Sequence, residues 1–379
     1  MQPNSSVMNT DNKLILDGHK LFWHKERLDA WLQGERIAPI TIDMALTRAC
    51  TYNCSFCYAT LQDNDSKKMT KDVIFRFLDD AADIGVKAIS FVSDGESTVS
   101  RHLYDAILRG KSNGLDMALG TNGYLLQDER LEEILPCLTY LRFNFSAQDP
   151  DRYTEIMGCP VSNYYKVVNT VKECVKIKKA NNLDVTIGLQ MVLMPQDADQ
   201  IVPMACLGKE LGADYTVIKH CSDDEVGSLG VDYDKYYDDN LINALKEAES
   251  YSNENYLVKA KWSKILSGGK RNYNKCYGSP FIFQISGSGL VAPCGKLFNK
   301  KFQKHHIGNI VDTSFKKLWE SDIYWKKHNF LHSSAYDPQT MCGNLCLQHK
   351  VNEILFEIKE KNIEIPNVIG PAPMHVNFI

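Results

Sequence analysis

The sequence lacks any apolar run near the roughly 20 residues that a membrane-crossing helix needs. Its opening stretch, MQPNSSVMNTDNKLILDG, is polar and holds no apolar segment of the kind a secretory signal requires. There are no internal repeats and no low-complexity tracts. An excess of one charge is missing too. The formal net charge is −4, which gives no electrostatic reason to expect nucleic acid or an anionic membrane as partner. The expectation is a cytoplasmic protein with no nucleic-acid and no membrane contacts. What the chain does have is length and cysteine. Its 379 residues, 44% hydrophobic and 24% charged, are enough for one large domain plus a smaller one.

Twelve cysteines need a reason. A disulfide framework is not the expectation, since a reducing compartment keeps thiols free and a chain of this size needs no staples. The cysteines fall into three kinds: a cluster near residue 50, four between Cys276 and Cys346, and the scattered Cys137, Cys159, Cys174, Cys206 and Cys221. Clustered thiolates in such an enzyme read as metal or iron–sulfur ligands.

From about residue 40 to 220, short β-like runs alternate with amphipathic stretches. The runs are Pro39–Leu46, Ala88–Val92, Asp116–Leu119, Tyr140–Ser146, Asp184–Met194 and Asp214–Lys219. Between them, Val73, Ile74, Phe77, Leu78 and Ala81 make one helical stripe. Gly85, Gly114 and Gly212 stand where helices hand over to strands. Six strands alternating with helices predict an α/β fold with parallel pairing. Alternation alone does not separate a partly closed barrel from an open doubly wound sheet. Beyond about residue 225 the rhythm stops. A helix is expected near Leu241–Tyr251, a hairpin at FIFQISGSGLVAPCG with SGSG as its turn, and a last helix near Lys350–Lys361.

Cys50, Cys54 and Cys57 directly follow the first predicted strand. Three thiolates within eight residues can ligate three irons of a cubane and leave the fourth open for a chelating ligand. Zinc sites more often use C-x2-C pairs and four protein ligands. This C-x3-C-x2-C loop resembles the radical S-adenosylmethionine (SAM) superfamily, and the resemblance extends over roughly residues 38–360. Phe56 matches the aromatic residue the family places beside the adenine. Ser93-Asp94-Gly95-Glu96 resembles the segment whose backbone and glutamate hold the methionine amino group, although the family's first glycine and its proline are replaced. Thr121-Asn122-Gly123 resembles a further turn of the family, and Ser146 stands where members contact the ribose. The resemblance implies a partial (β/α)6 barrel, a SAM-binding [4Fe–4S] cluster on Cys50, Cys54 and Cys57, and SAM contacts from Phe56, Ser93, Asp94, Gly95, Glu96, Asn122 and Ser146. It also implies a 5′-deoxyadenosyl radical that takes hydrogen from carbon, with flavodoxin or ferredoxin as electron donor.

Cys276 and Cys294 flank the hairpin, Gly289 lies between them, and Cys342 and Cys346 form a later pair. The arrangement resembles the twitch domain, a shortened relative of the SPASM domain: a small C-terminal α+β unit. It implies one auxiliary [4Fe–4S] cluster on these four cysteines, with structural zinc on the same thiolates as the alternative. The domain layout expected is an N-terminal extension (1–37), a radical SAM core (38–225), a helical linker (226–269), a twitch-like domain (270–361) and a tail (362–379).

Cys221, after the sixth strand, is a candidate hydrogen donor at the barrel mouth, which would make the enzyme an epimerase; an inert loop cysteine is the alternative. Cys159 is a weaker candidate for the same role. Lys219, His220 and Asp223 are candidates for contact with a polar substrate. The segment HVNFI is a candidate lid over the mouth, or a frayed end. The leading functional expectation is dehydrogenation or epimerisation of a small carbohydrate-like molecule: a sugar, nucleotide sugar or aminocyclitol. The alternatives are a maturase acting on a ribosomally made peptide and a non-catalytic iron–sulfur or zinc scaffold.

Overall fold

The computed structural model describes residues 14–64, 66–344, 346–368 and 370–379. Most of the polar opening stretch therefore lies outside the described residues. The six expected strands are present as β1 (Thr41–Met44), β2 (Ala88–Phe91), β3 (Asp116–Thr121), β4 (Leu138–Asn144), β5 (Thr186–Leu193) and β6 (Tyr215–His220). Each pairs in parallel with the next. A short helix α1 (Lys25–Leu32) precedes them, and α2 (Lys71–Asp83), α3 (Leu103–Ser112), α4 (Leu131–Ile134), α5 (Pro150–Met157), α6 (Val161–Ala180) and α7 (Ile201–Glu210) intervene.

Local chemistry sets these boundaries. The Thr70 side chain accepts from the Val73 amide at 3.4 Å and so caps α2, an interaction that contributes about 1 kcal/mol. Ile74, Phe77, Leu78 and Ala81 of that helix are buried as one face. Gly85, Gly114 and Gly212 take positive φ just past α2, α3 and α7, at the expected stops.

The β/α alternation does not stop at residue 225. Helix α8 (Asp239–Ser250) leads into β7 (Leu257–Ala260), which pairs in parallel with β6. The stretch 226–269, expected to be a helical linker, thus contributes a strand. Only four residues long and carrying Lys259, β7 has too little apolar pattern to stand out in sequence. The expected hairpin is present, and it joins the barrel's own sheet. Its first strand, β8 (Ile282–Ile285), pairs in parallel with β1, and its second, β9 (Leu290–Ala292), runs antiparallel to β8 and to β10 (Gly308–Asn309). All ten strands form one sheet, in the order β10-β9-β8-β1-β2-β3-β4-β5-β6-β7. The cysteine-bearing C-terminal region is therefore joined to the barrel through its backbone hydrogen bonds.

Residues 374–379 lie at the N-terminal ends of the strands, opposite the mouth, which corrects the expectation of a lid. The Thr41 hydroxyl donates to Asn377 O at 2.7 Å, the Lys20 ammonium donates to Phe378 O at 2.7 Å, and Asn377 Nδ2 donates to Asp116 at 2.7 Å. Phe378 packs on Ala88, Ala118 and Tyr140, the two alanines leaving room for its ring. His375 sits 2.8 Å from the Thr186 hydroxyl. The segment stoppers the barrel floor.

Replacing Phe378 by alanine should cost about 3 kcal/mol, the usual scale for emptying a buried aromatic site; urea titration of the anaerobically purified protein checks it. Burial, with Lys20 and Arg142 nearby, lowers the His375 pKa to about 3. The folded pKa lies below the unfolded value of about 6.5, so the stability that neutral His375 supports is complete above that pH and is lost as pH falls toward the folded value. His375→Asn, which tolerates the positive φ of this position, should flatten part of the fall in thermal midpoint between about pH 7 and pH 5.

Candidate active site

The backbone leaving β1 is pinched between two glycines. A Cβ on Gly95 would lie 1.9 Å from the Thr47 carbonyl oxygen, and one on Gly287 would lie 2.2 Å from the Thr47 carbonyl carbon. Only glycine permits either approach. Gly95 belongs to the loop after β2 and Gly287 to the β8–β9 turn. Beside them, Asp94 accepts from the Ser286 hydroxyl at 2.6 Å, the Gly287 amide at 2.7 Å and Asn64 Nδ2 at 3.1 Å, with Arg48 Nε at 3.5 Å. The Asp94 carboxylate thus ties the hairpin turn to the barrel, while the backbone of Ser93–Gly95, the part of this segment expected to serve the cofactor, is left to face the cysteine loop's side of the site.

The pinch presents the loop that carries Cys50, Cys54 and Cys57. Asn53 and Ser55 donate to the Gly158 and Ile156 carbonyls at 3.3 and 2.9 Å, and the Cys57 amide closes a turn on Cys54 O at 3.1 Å. Cys50 is exposed, and the other two are half-buried. Burial pushes the Cys54 thiol well up, with the neighbouring Cys57 and Cys50 adding to the shift. Burial also raises Cys50, and Glu96 and Cys57 contribute. Neighbouring thiolates beside a carboxylate are costly alone; bound iron would supply the compensating charge and hold them deprotonated.

Glu96 is buried, and its donors are all neutral. It accepts from the Thr98 amide and hydroxyl at 3.0 and 2.8 Å, the Thr121 hydroxyl at 2.7 Å and the Asn122 amide at 2.8 Å. Its negative charge is left uncompensated beside Cys50, which suits an incoming ammonium group. Asn122 Nδ2 reaches the Thr51 hydroxyl at 3.2 Å and so links the T-N-G turn to the cysteine loop. Ser146 is buried, its hydroxyl accepting from the Val192 amide at 3.2 Å. Phe56 is half-buried above Val192 and Met194.

The second cysteine set gathers around β8 and β9. Cys276 packs with Leu290, Ala292, Phe298 and Leu331, with Cys294 and Cys342 against the same cluster. Burial pushes Cys294 up to about 12, Cys342 and Cys346 adding to it, and burial with the same neighbours raises Cys276 further. Tyr336 OH lies 2.7 Å from Cys342 Sγ. Arg271, Lys264 and Lys296 surround the set; Arg271 and Lys264 donate to the Asn344 and Cys346 carbonyls at 2.8 Å each. Among the described residues, no three His, Cys, Asp or Glu side chains close on a point that one metal ion would fill. A cubane instead takes one thiolate on each of several irons, and this donor set fits one.

Between the two sets lies a cavity of about 270 Å³. Tyr58, Ala59, Ser93 and Asp94 border it on the side of the first loop, and Cys294 and Cys346 on the other. Asp43, Arg142 and Lys219 form its wall toward the barrel. Burial lifts the Asp43 pKa to about 7, against the pull of Arg142 and Lys219. Arg142 and Asp43 were not singled out in sequence, although a charged residue inside an otherwise apolar strand (Thr41–Met44, Leu138–Asn144) was the available signal.

The strand-six residues divide. Lys219 and Ser222 line the cavity. Cys221 is fully buried among Val192, Met194 and Phe56, its Sγ 3.8 Å from Phe56 O and 3.7 Å from Ser222 O. Cys221 is thus not among the residues that line the cavity, although its neighbour Ser222 is. His220 is buried against Tyr233 and Tyr236. Asp223 is buried and accepts from the Asp224 and Leu229 amides at 2.7 and 3.0 Å. Cys159 is buried, Cys174 lies in the core, and Cys137 and Cys206 are half-buried.

Residues 44–205 match the family described as the radical SAM superfamily, and residues 276–347 match an iron–sulfur cluster-binding domain of the SPASM type. The tungsten-containing aldehyde ferredoxin oxidoreductase cofactor-modifying protein of Pyrococcus furiosus is 22% identical over 317 residues, 78% of this chain and 85% of that one. The AdoMet-dependent heme synthase of Methanosarcina barkeri is 24% identical over 335 residues, 83% of this chain and 90% of that one. Among solved structures, Streptococcus suis SuiB bound to its precursor peptide SuiA superposes with a TM-score of 0.60 at 17% identity, covering 81% of this chain and 71% of that one. The anSMEcpe structure with AdoMet and the Cp18Cys peptide does so with a TM-score of 0.57 at 15% identity, covering 86% and 97%. No helix among the described residues is long and apolar enough to cross a membrane.

Replacing Gly287 by alanine should force Thr47–Arg48 outward. Iodoacetamide should then label Cys50, Cys54 and Cys57 of the metal-free protein faster, with Cys174 unchanged as the internal reference; peptide mass spectrometry reads both.

Proposed function

We propose that this chain, which belongs to the radical SAM superfamily and carries a C-terminal SPASM-type iron–sulfur domain, oxidises a peptide substrate held between its two clusters. The observation that carries the reading is the cavity bordered at once by residues 58–59 and 93–94 and by Cys294 and Cys346. A substrate there can meet the radical on one side and an electron acceptor on the other. When bound, the cofactors supply the redox chemistry: one-electron cleavage of SAM gives methionine and the 5′-deoxyadenosyl radical, which takes a hydrogen atom from substrate carbon, and the auxiliary cluster accepts the remaining electron.

In this reading Cys50, Cys54 and Cys57 hold the SAM cluster, and Cys276, Cys294, Cys342 and Cys346 hold the auxiliary one. Glu96 receives the SAM ammonium, the Ser93–Gly95 backbone and Asn122 orient the methionine end, and Phe56 and Ser146 border the nucleoside. Asp43, ionised above a pKa of about 7, takes the proton that leaves with the substrate's electron. An external low-potential donor of the flavodoxin or ferredoxin class supplies the electron that starts each cycle. The peptide reading is preferred over the carbohydrate one because SuiB and anSMEcpe, which share the fold, were solved with peptides; no comparable observation favours a sugar.

Anaerobic reconstitution should give about eight irons per chain, falling to about four when Cys50, Cys54 and Cys57 are replaced together. Reduced protein should release 5′-deoxyadenosine from SAM. About four irons in the unaltered protein, or no 5′-deoxyadenosine, would overturn the reading. Turnover should rise with pH through about 7 as Asp43 ionises, and Asp43→Asn should remove that limb of the profile.

A further inference from the structure

The barrel interior carries more positive charge than its own residues answer. Arg142 on β4 lines both the cavity between the cysteine sets and a second cavity on the side of the stoppered floor; Lys219 on β6 lines the first and Lys261, just past β7, the second. Arg142 Nε is buried without a hydrogen-bond partner. Among the described residues, Lys219 and Lys261 make neither an ion pair nor a side-chain hydrogen bond. The carboxylates at hand do not neutralise them. Asp43 stands alone among Arg142 and Lys219, Asp94 is spent on the hairpin, and Asp17 accepts from the Ser263 hydroxyl at 2.6 Å.

The other interior cations have a use already. Lys264, Lys296 and Arg271 sit beside the auxiliary cysteines and answer thiolate charge. Lys296 also donates to Asp223 O at 2.7 Å and lies 4.5 Å from the Tyr58 ring centroid. Arg142 has only the Tyr140 ring, 5.5 Å from its guanidinium carbon, and Lys219 and Lys261 have no thiolate beside them to answer. Three half-buried cationic side chains lining these cavities beside one carboxylate are expensive to keep charged, since a charge drawn out of water is ordinarily paired. Burial lowers Lys219 to about 7 and Lys261 well below its usual value, and each adds to the other's cost or shares Arg142 as a neighbour.

We propose that Arg142, Lys219 and Lys261 bind an anionic group of the substrate, a carboxylate or a phosphate, and so place the adjoining carbon in the cavity between the two cysteine sets. This rests on the reading that substrate enters that cavity, and it narrows the substrate to an acidic peptide or a phosphorylated one. A guanidinium and two ammonium groups match either oxyanion by charge-assisted hydrogen bonds. The anion also relieves the repulsion among the three cations, so binding and stability are linked.

The test uses reconstituted holoenzyme saturated with SAM, so that the cofactor's own carboxylate is already accounted for. Thermal midpoints are measured with inorganic phosphate, with N-acetylglutamate amide, and with N-acetylglutamine amide, which differs from the second only in charge. The expected result is an upward shift with phosphate or the glutamate probe and none with the glutamine probe; whichever anion acts at lower concentration identifies the oxyanion. Lys219→Met should raise the midpoint without anion, because an amine drawn from water without a partner is gone, and weaken anion binding at least tenfold, while Lys219→Arg retains binding. A lysine serving structure alone would lower the midpoint on becoming methionine and leave the anion response unchanged, and that result overturns the proposal. So does equal stabilisation by the charged and neutral probes. If the unaltered holoenzyme cleaves SAM but ignores both anions, the anion site fails and the radical reading stands; if it binds anions but cleaves no SAM, the reverse holds.

Discussion

The approach of three backbone segments at Thr47–Arg48 is the constraint on which the site depends. The exit of β1, the loop after β2 and the β8–β9 turn meet there at distances that admit no side chain on Gly95 or Gly287. Asp94 then fixes the meeting point with hydrogen bonds to both Ser286 and Gly287. The cysteine loop emerges two residues later, so its position is set by contacts that hold the C-terminal region against the barrel. The two cysteine sets are placed relative to each other by this junction and by the β1–β8 pairing, not by a flexible connection. An electron passing between them benefits from such rigidity, because the separation it must cross is fixed.

The interior follows from the same economy of space. Small residues at Ala88 and Ala118 leave room for Tyr140 and Phe378, and residues 374–379 close the floor. Water is thereby kept from one end of the barrel, which raises the cost of the charges above it. Arg142, Lys219 and Lys261 would gain there from the anionic partner proposed above. Low dielectric makes that partner's contribution large, and a radical reaction gains from the same exclusion of solvent.

Much of this was legible in the sequence where the signal was local. The C-x3-C-x2-C spacing lies within eight residues, and the six strands announced themselves through β-like runs and the glycines that stop α2, α3 and α7. The hairpin could be read from SGSG. What could not be read depended on distant partners. Nothing near residue 282 indicates that β8 pairs with β1, some 240 residues earlier in the chain. Nothing in HVNFI shows that Thr41 and Asp116 will receive Asn377. β7 was hidden by its brevity and its lysine. Nothing near Asp94 shows that its carboxylate will be held by a turn nearly 200 residues away. Likewise nothing near Cys221 shows that it will be buried against Phe56 and Met194.

The pairing of β8 with β1 bears on how this protein can be divided. Cutting the chain ahead of β8 would leave β1, the first strand of the barrel, with an open row of amide and carbonyl groups along one side. Such an edge recruits other strands, including those of a second molecule. The barrel and the C-terminal region share one sheet and are not joined as two separate modules. A hybrid that borrows its auxiliary region from another protein would have to bring with it a strand that matches β1 in register, and a glycine where Gly287 meets Thr47.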